Sequence, residues 1–104
     1  MLVQFNTGRN IEATEALAVE AEAVVRETLD RFVERITRVE VHLSDENSDK
    51  AGADDKRCLL EARLAGRQPI AVSHQAATLE QAISGAADKM RSSLETVFGR
   101  LRSP

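Results

Sequence analysis

Oxygen-bearing side chains in segment 45–56, DENSDKAGADDK, have the spacing of a calcium-binding loop. Its first, third and fifth residues are Asp45, Asn47 and Asp49. Such a loop needs glycine at its sixth position and a bidentate glutamate at its twelfth, and it must be flanked by helices. Here those positions hold Lys50 and Lys56, and an ammonium group at the closing position repels a cation. Because the flanking residues alternate as strands do, we interpret the segment as a polar hairpin loop and expect no metal site.

The histidine, cysteine and serine side chains give no stronger indication of a metal-binding or catalytic site. Neither His42 nor His74 has a second histidine, cysteine or carboxylate at metal-ligand spacing. Cys58 alternates with Leu60 and is expected in the core, where a thiol behaves as a small hydrophobic group. Ser73 and His74 are adjacent in a predicted strand, so their side chains point to opposite faces. We therefore expect no catalytic residues and no cofactor, and predict that the protein is not an enzyme.

Basic residues are the remaining candidates, because lysine and arginine neutralise the phosphates of nucleic acids. The last segment carries Lys89, Arg91, Arg100 and Arg102. Lys89 and Arg100 are three helical turns apart, which places them on one side of a helix at a distance of roughly 16 Å. The preceding helical region carries more acids than bases, and its arginines are Arg26, Arg31 and Arg35. Charge alone favours a solvated helix face, whose basic residues near the C-terminal end complement the helix dipole.

Apolar periodicity predicts the elements that must position these side chains. They are a strand at 2–6, a helix at 14–32, strands at 37–44, 57–65 and 69–74, and a helix from Thr78. Thr78 and Gln81 form a capping-box pattern at the start of the last helix. A strand-helix-strand start implies a parallel pair, and three later strands can form an antiparallel meander. The predicted fold is α+β, in the order β-α-β-β-β-α, with a four-stranded mixed sheet and two helices packed on one face.

The same periodicity predicts the core. From the strands, the residues expected to face inward are Val39, Val41, Leu43, Cys58, Leu60, Ala62, Leu64, Ile70 and Val72. From the first helix they are Leu17, Ala21, Val24, Thr28 and Phe32, flanked by Val25 and Leu29. From the last helix they are Leu79, Ile83, Ala86, Met90, Leu94, Val97 and Leu101.

Composition narrows the functional classes. With 104 residues, of which 42% are hydrophobic, the chain fits one compact domain. Aromatic residues make up 3%, which argues against a base-stacking platform. The single cysteine, the lack of a signal region and the lack of an apolar run of ~20 residues indicate a cytoplasmic protein without membrane contact. The net charge of -3 means that any RNA binding must depend on a local basic patch.

The segments ITRVEVHLS (36–44) and TLEQAISGAADKMRSSL (78–94), with the hairpin glycine Gly66, resemble the ribosome hibernation-promoting factor and ribosome-associated inhibitor family. These proteins are also called sigma-54 modulation or S30EA-like proteins. The most specific match consists of Thr78, Leu79, Ala82, Ile83, Asp88, Lys89, Met90 and Leu94. The resemblance implies a fold similar in its later part to double-stranded RNA-binding domains. It also implies that residues 1–104 form a single hibernation-factor-like domain without a C-terminal dimerisation domain.

The resemblance further implies a function. Family members bind the RNA of the small ribosomal subunit in the channel used by messenger and transfer RNA, and so inhibit translation without a small-molecule substrate. The candidate RNA-binding residues are Arg26, Arg31, Lys89, Arg91, Arg100 and Arg102. Ser92 and Thr96 stand where relatives often carry arginine or lysine. The alternative is a protein-interaction module of the same fold that uses an acidic surface and binds no RNA.

Segment 45–56 yields the first testable prediction. Because Lys50 and Lys56 replace the glycine and the closing glutamate, calcium should bind no tighter than about 10⁻³ M, the weak end of such loops. Calorimetric titration with calcium measures this affinity, and a micromolar dissociation constant would contradict the hairpin interpretation.

Overall fold

The computed structural model describes residues 1–8, 11, 14–45 and 55–102, with only the backbone described for residues 100–102. Its strands are β1 (Leu2–Thr7), β2 (Ile36–Asp45), β3 (Lys56–Leu64) and β4 (Ile70–Ala76), and its helices are α1 (Glu15–Thr28) and α2 (Leu79–Arg102). A short 3₁₀ helix, Asp30–Phe32, follows α1. The predicted order β-α-β-β-β-α is confirmed.

The four strands form one sheet in the order β1-β2-β3-β4. β1 runs parallel to β2, and its Val3 lies opposite Val39. β2, β3 and β4 pair antiparallel, as the predicted meander requires. The register of β2 shifts between Ile36 and Arg38. The residue between them, Thr37, donates a hydrogen bond from its hydroxyl to the carbonyl of Arg63 at 3.0 Å, which holds the irregularity in place.

One face of this sheet lies against both helices. The inward side chains of β2 and β3, among them Val41 and Leu60, are fully buried in the same cluster as Val25 of α1 and Met90 of α2. α2 contacts β3, β4 and α1. The predicted inward faces of the strands and the placement of both helices on one face are therefore confirmed. The opposite face of the sheet carries the polar side chains of the alternating pattern.

The C-terminal end of the first helix differs from the prediction of 14–32. α1 ends at Thr28, and the chain then tightens, because Phe32 donates its N–H to the carbonyl of Leu29 three residues earlier at 2.9 Å. Val25, Leu29 and Phe32 are all buried. An unbroken α-helix would also place these three residues on one face, so apolar spacing gave no sign of the break. Val24 and Thr28, which were expected to face inward, are only half-buried.

The ends of the other elements differ from the predictions by one or two residues. β4 extends to Ala76, beyond the predicted limit at residue 74, and β3 begins at Lys56. The start of α2 is as predicted: the hydroxyl of Thr78 accepts a hydrogen bond from the backbone N–H of Gln81 at 3.1 Å, which caps the helix.

Gly85 allows α2 to lie directly on β4. A Cβ atom added at Gly85 would overlap the imidazole ring of His74, whose side chain points from β4 toward the helix. His74 therefore faces the helices, and its ring occupies the space that a side chain at position 85 would need. This contact fixes how closely the middle of α2 approaches the sheet.

This contact predicts the effect of Gly85→Ala. Alanine favours a helix over glycine by about 1 kcal/mol, but overpacking against the His74 ring costs typically about 1–3 kcal/mol, so the variant should be less stable. Gly99→Ala is the matched control in the same helix, since a Cβ there meets nothing within 4 Å, and it should be neutral or stabilising. Urea unfolding measures the free energy of unfolding of both variants.

The double variant His74→Ala/Gly85→Ala should recover part of the stability that Gly85→Ala loses, because the ring is then absent. If Gly85→Ala proved as stable as Gly99→Ala, the close packing of His74 on α2 would be wrong.

Candidate nucleic-acid interface

The predicted RNA-binding arginines of the first helical region both face carboxylates. Arg26 donates from Nε to Oε2 of Glu22 at 2.8 Å, one helical turn away. Arg31, in the 3₁₀ helix, donates from Nη1 to Oε2 of Glu95 at 3.1 Å and so links this segment to α2. All four side chains are well exposed, and exposed pairs of this kind are typically worth only about 0–1 kcal/mol. A phosphate can therefore compete for either arginine, but it must displace a carboxylate.

The predicted residues of α2 are placed differently. Lys89 donates from Nζ to the backbone carbonyl of Ser73 at 3.0 Å, on β4 at the edge of the sheet. Arg91 lies 3.8 Å from the carboxylate of Asp88. The side chains of Arg100 and Arg102 lie outside the described residues, and so does the predicted alignment of Lys89 with Arg100. RNA binding by all six residues remains a prediction.

Hydroxyl groups occupy exposed positions of α2 between these basic residues. Ser92 and Thr96 are exposed, and the hydroxyl of Thr96 donates to the backbone carbonyl of Ser92 at 3.1 Å. Neither residue adds positive charge to the helix surface. The described part of this surface is therefore less basic than a run of lysines and arginines would make it.

Arginines lie over aromatic rings near the C-terminal end of α2, and two of them, Arg35 and Arg67, were not among the candidate residues named from the sequence. The rings of Phe32 and Phe98 lie 6.1 Å apart between centroids. The guanidinium carbon of Arg35 lies 5.0 Å from the centroid of Phe98, and that of Arg67 lies 5.5 Å from it. Arg31 stacks on Phe32 at 5.4 Å. We call Arg31, Phe32, Arg35, Arg67 and Phe98 the arginine–phenylalanine cluster.

Backbone contacts bring the parts of this cluster together. The N–H of Arg35 donates to the carbonyl of Phe32 at 2.8 Å, and the carbonyl of Arg35 accepts from Ala65 at 3.1 Å. Ala65 begins the turn between β3 and β4, in which Gly66 has a φ of +71°, a conformation that favours glycine. The turn that carries Arg67 is thus tied to the segment that carries Arg35.

The charges of the cluster are unevenly compensated. Arg31 has Glu95 as its partner, whereas among the described residues Arg35 and Arg67 have no carboxylate within ion-pair distance. Stacking on a ring stabilises a guanidinium without cancelling its charge. Beside Arg67 lies an open groove of about 350 Å³ lined by Leu64, Arg67, Gln68, Ile70 and Val97. The cluster therefore combines two uncompensated positive charges with a mostly apolar groove.

The sheet face away from the helices holds a separate charged network centred on Glu40. Its carboxylate lies 3.1 Å from both Arg38 and Arg63 and 3.5 Å from His42. The hydrogen bond from Arg63, together with the charge of Arg38, lowers the pKa of Glu40 below its ordinary value. His42 lies on the polar side of its strand, as predicted. The network joins β2 to β3 and uses Arg38 and Arg63 to hold a carboxylate.

At the base of the β2–β3 hairpin, Lys56 is engaged by carboxylates. Its Nζ lies 3.0 Å from Asp45 and 3.4 Å from Asp55, and the hydrogen bond that Lys56 donates to Asp45 is the main cause of a raised pKa for Lys56. Asp45 and Lys56 also lie opposite each other in the sheet, so the predicted strands on both sides of the loop are confirmed. Residues 46–54, including Lys50, lie outside the described residues.

Features of catalytic or metal chemistry are weak in the described part of the chain. Burial raises the pKa of the Cys58 thiol to about 12, which leaves it protonated and poorly nucleophilic. Across residues 1–8, 11, 14–45 and 55–102, no three histidine, cysteine, aspartate or glutamate side chains are grouped closely enough to hold a metal ion. Within the same ranges, neither helix has the length and apolar character needed to cross a membrane.

Comparison with solved structures defines the class of fold. The N-terminal domain of protein Y from Thermus thermophilus is similar over 93% of this chain and 99% of its own, with 26% identity and a TM-score of 0.74. A ribosomal subunit interface protein from Coxiella burnetii is similar in fold over 95% of this chain and 99% of its own, with 13% identity and a TM-score of 0.70. The fold is thus that of a protein Y-type α+β domain.

Comparison with protein families then places the chain. The model of the family described as sigma 54 modulation protein / S30EA ribosomal protein matches residues 6–102. The chain belongs to this family, and the resemblance seen in its sequence is confirmed. Among curated proteins, none matches it significantly.

The Glu40 network makes a prediction about pH. The pKa of Glu40 is lower in the folded protein than its ordinary value of 4.5. Ionised Glu40 therefore stabilises the fold fully when the pH is above 4.5, and this stabilisation is lost as the pH falls through the lower pKa of the folded state. Glu40→Gln should therefore lower the Tm at neutral pH, and the difference from the wild type should shrink in acid.

Glu61→Gln is the control on the same face, since Glu61 lies 3.4 Å from Arg63 and takes no part in the three-way contact of Glu40. It should change the Tm less. Thermal unfolding followed by circular dichroism, from neutral pH to below the ordinary pKa of Glu40, measures the Tm of both variants. A Tm difference between Glu40→Gln and the wild type that is the same at every pH would contradict the prediction.

Proposed function

We propose that the protein is a ribosome-associated translation inhibitor that acts in the cytoplasm by occupying the messenger and transfer RNA channel of the small ribosomal subunit. The observation that carries this proposal is the family match over residues 6–102, on a chain whose fold extends over 99% of the protein Y N-terminal domain. Steric occupancy requires a stable shape and attraction to RNA, and no reacting group. The buried, protonated thiol of Cys58 fits a protein that works without a nucleophile.

The charge distribution supports contact with RNA through limited surfaces. The chain has a net charge of -3, so it gains no overall attraction to a phosphate backbone. Positive charge is instead exposed locally, on the helices and in the arginine–phenylalanine cluster. Several of these cations already have acidic partners, so the number of phosphates that they can neutralise is small.

A second candidate function is supported by the surface of α1. Glu15, Glu20 and Glu27 are exposed along this helix, and Val19 is 64% exposed beside them. An acidic surface that surrounds an exposed apolar side chain suits a basic protein partner. The protein would then act as an interaction module that binds no RNA.

Co-sedimentation with purified small ribosomal subunits separates the two functions. An inhibitor that binds through phosphate contacts should sediment with the subunits, and its affinity should fall with salt, with a slope of about -0.7 to -0.9 per contact in a log–log plot. We expect a shallow total slope because few cations are available. Bound transfer RNA should compete with the protein if both occupy the same channel.

Charge variants test which residues bind the small subunit. Lys89→Glu/Arg100→Glu should abolish sedimentation, because it reverses two candidate contacts. Since Lys89 also holds the carbonyl of Ser73, the Tm of this variant must be measured alongside. Glu20→Gln, on the exposed surface of α1, should bind as well as the wild type or slightly better. If the wild type did not sediment even at low salt, the inhibitor proposal would fail and the interaction module would replace it.

A further inference from the structure

We propose that Arg35 and Arg67, stacked on Phe98, form a phosphate-binding pair that contacts the RNA backbone next to an unpaired nucleotide. This inference rests on the proposed function for the identity of the ligand as RNA. It assigns a contact to residues outside the helix positions Arg26, Arg31, Lys89 and Arg91. The observation behind it is the convergence on one buried ring of two arginines that have no acidic partner among the described residues.

Charge favours Arg35 and Arg67 over the other candidate arginines as phosphate contacts. A phosphate that binds Arg26 or Arg31 must displace Glu22 or Glu95, and it meets the repulsion of that carboxylate. At Arg35 and Arg67 no such displacement is needed, because among the described residues the guanidinium groups face a ring. Both groups lie over the ring of Phe98, so their central carbons are no more than about 10.5 Å apart. Two neighbouring phosphates of a nucleic-acid strand fit within that length.

Geometry also supports the pair. The guanidinium carbons of both arginines lie over the ring of Phe98, and a guanidinium binds phosphate through two parallel hydrogen bonds from its N–H groups. Phe98 is itself only 3% exposed, so it provides a fixed support. The hydrogen bond from the N–H of Ala65 to the carbonyl of Arg35 fixes the turn that carries Arg67 relative to the segment that carries Arg35. A site that is ordered before binding loses less conformational entropy when the ligand arrives.

The groove beside Arg67 suits a base. Leu64, Ile70 and Val97 give it apolar walls, and the amide of Gln68, which also lines it, can supply a hydrogen-bond donor and an acceptor. Proteins that recognise RNA often hold an unstacked base beside the backbone contacts. An apolar groove adjoining a phosphate contact therefore suits a nucleotide whose base is unpaired.

The test compares two double variants with the same change in net charge. Arg35→Gln/Arg67→Gln should bind purified small subunits at least about tenfold more weakly at physiological salt. Its salt slope should be shallower by about 1.4 to 1.8, which corresponds to two lost phosphate contacts. Arg57→Gln/Arg63→Gln removes two arginines from β3 on the sheet face away from the helices, and it should stay within about threefold of the wild type.

Two further measurements separate binding from packing. Arg35→Lys/Arg67→Lys keeps the charge but loses the planar fork, so it should retain the salt slope of the wild type and bind with intermediate affinity. Circular dichroism establishes whether each variant is folded. Arg67→Gln alone, in the exposed turn, keeps the test decisive if the double variant unfolds, because it should still weaken binding more than Arg63→Gln.

The outcomes distinguish this inference from the proposed function. If the wild type binds subunits and Arg35→Gln/Arg67→Gln binds as well as Arg57→Gln/Arg63→Gln, the phosphate-binding pair is wrong and the inhibitor proposal stands. If the wild type does not bind subunits, the inhibitor proposal fails, and a short single-stranded RNA at low salt becomes the probe. Binding of that RNA that is lost in Arg35→Gln/Arg67→Gln supports the pair, and no binding by the wild type overturns it.

Discussion

The close packing of α2 on the sheet is the constraint on which the rest of the structure depends. The buried side chains Ile83, Met90 and Leu94 of α2 meet the inward faces of the strands in one core. In the middle of the helix, Gly85 leaves room for the ring of His74, so the helix lies directly on β4. This position carries Phe98, near the end of α2, to the 3₁₀ helix and the β3–β4 turn.

That constraint also decides which positive charges in the described part of the chain are exposed without acidic partners. Arg31 meets Glu95 because α2 lies beside the 3₁₀ helix, and Arg35 and Arg67 meet Phe98 for the same reason. On the opposite sheet face, Arg38 and Arg63 are held by Glu40. In an acidic protein most cations find a carboxylate nearby, so the ring of Phe98 matters because it offers two arginines a partner that leaves their charge intact.

The local spacing of apolar residues was sufficient to predict the helices and strands and most of the buried core. Alternation placed Val39, Val41 and Leu60 inward, and all three are fully buried. Element ends were less predictable, since the change from α1 to the 3₁₀ helix keeps Val25, Leu29 and Phe32 on the same side. The arginine–phenylalanine cluster had no local signal at all. Arg67 belongs to a turn and Phe98 to a helix 31 positions later, and only the tertiary fold brings them together.

The candidate phosphate contacts differ in how many hydrogen-bond donors each cation still has available. Lys89 has three N–H donors and uses one on the carbonyl of Ser73, so it can still meet a phosphate, although its ammonium is held near the edge of the sheet. Arg26 can offer an RNA phosphate only what remains after its bond with Glu22, and the nearby carboxylate repels that phosphate. Among the described residues, Arg35 and Arg67 have no carboxylate partner, and the guanidinium groups of both lie over the ring of Phe98. A protein with few basic residues gains most from cations that are both oriented and uncompensated, and among the described residues of this chain these two meet both conditions.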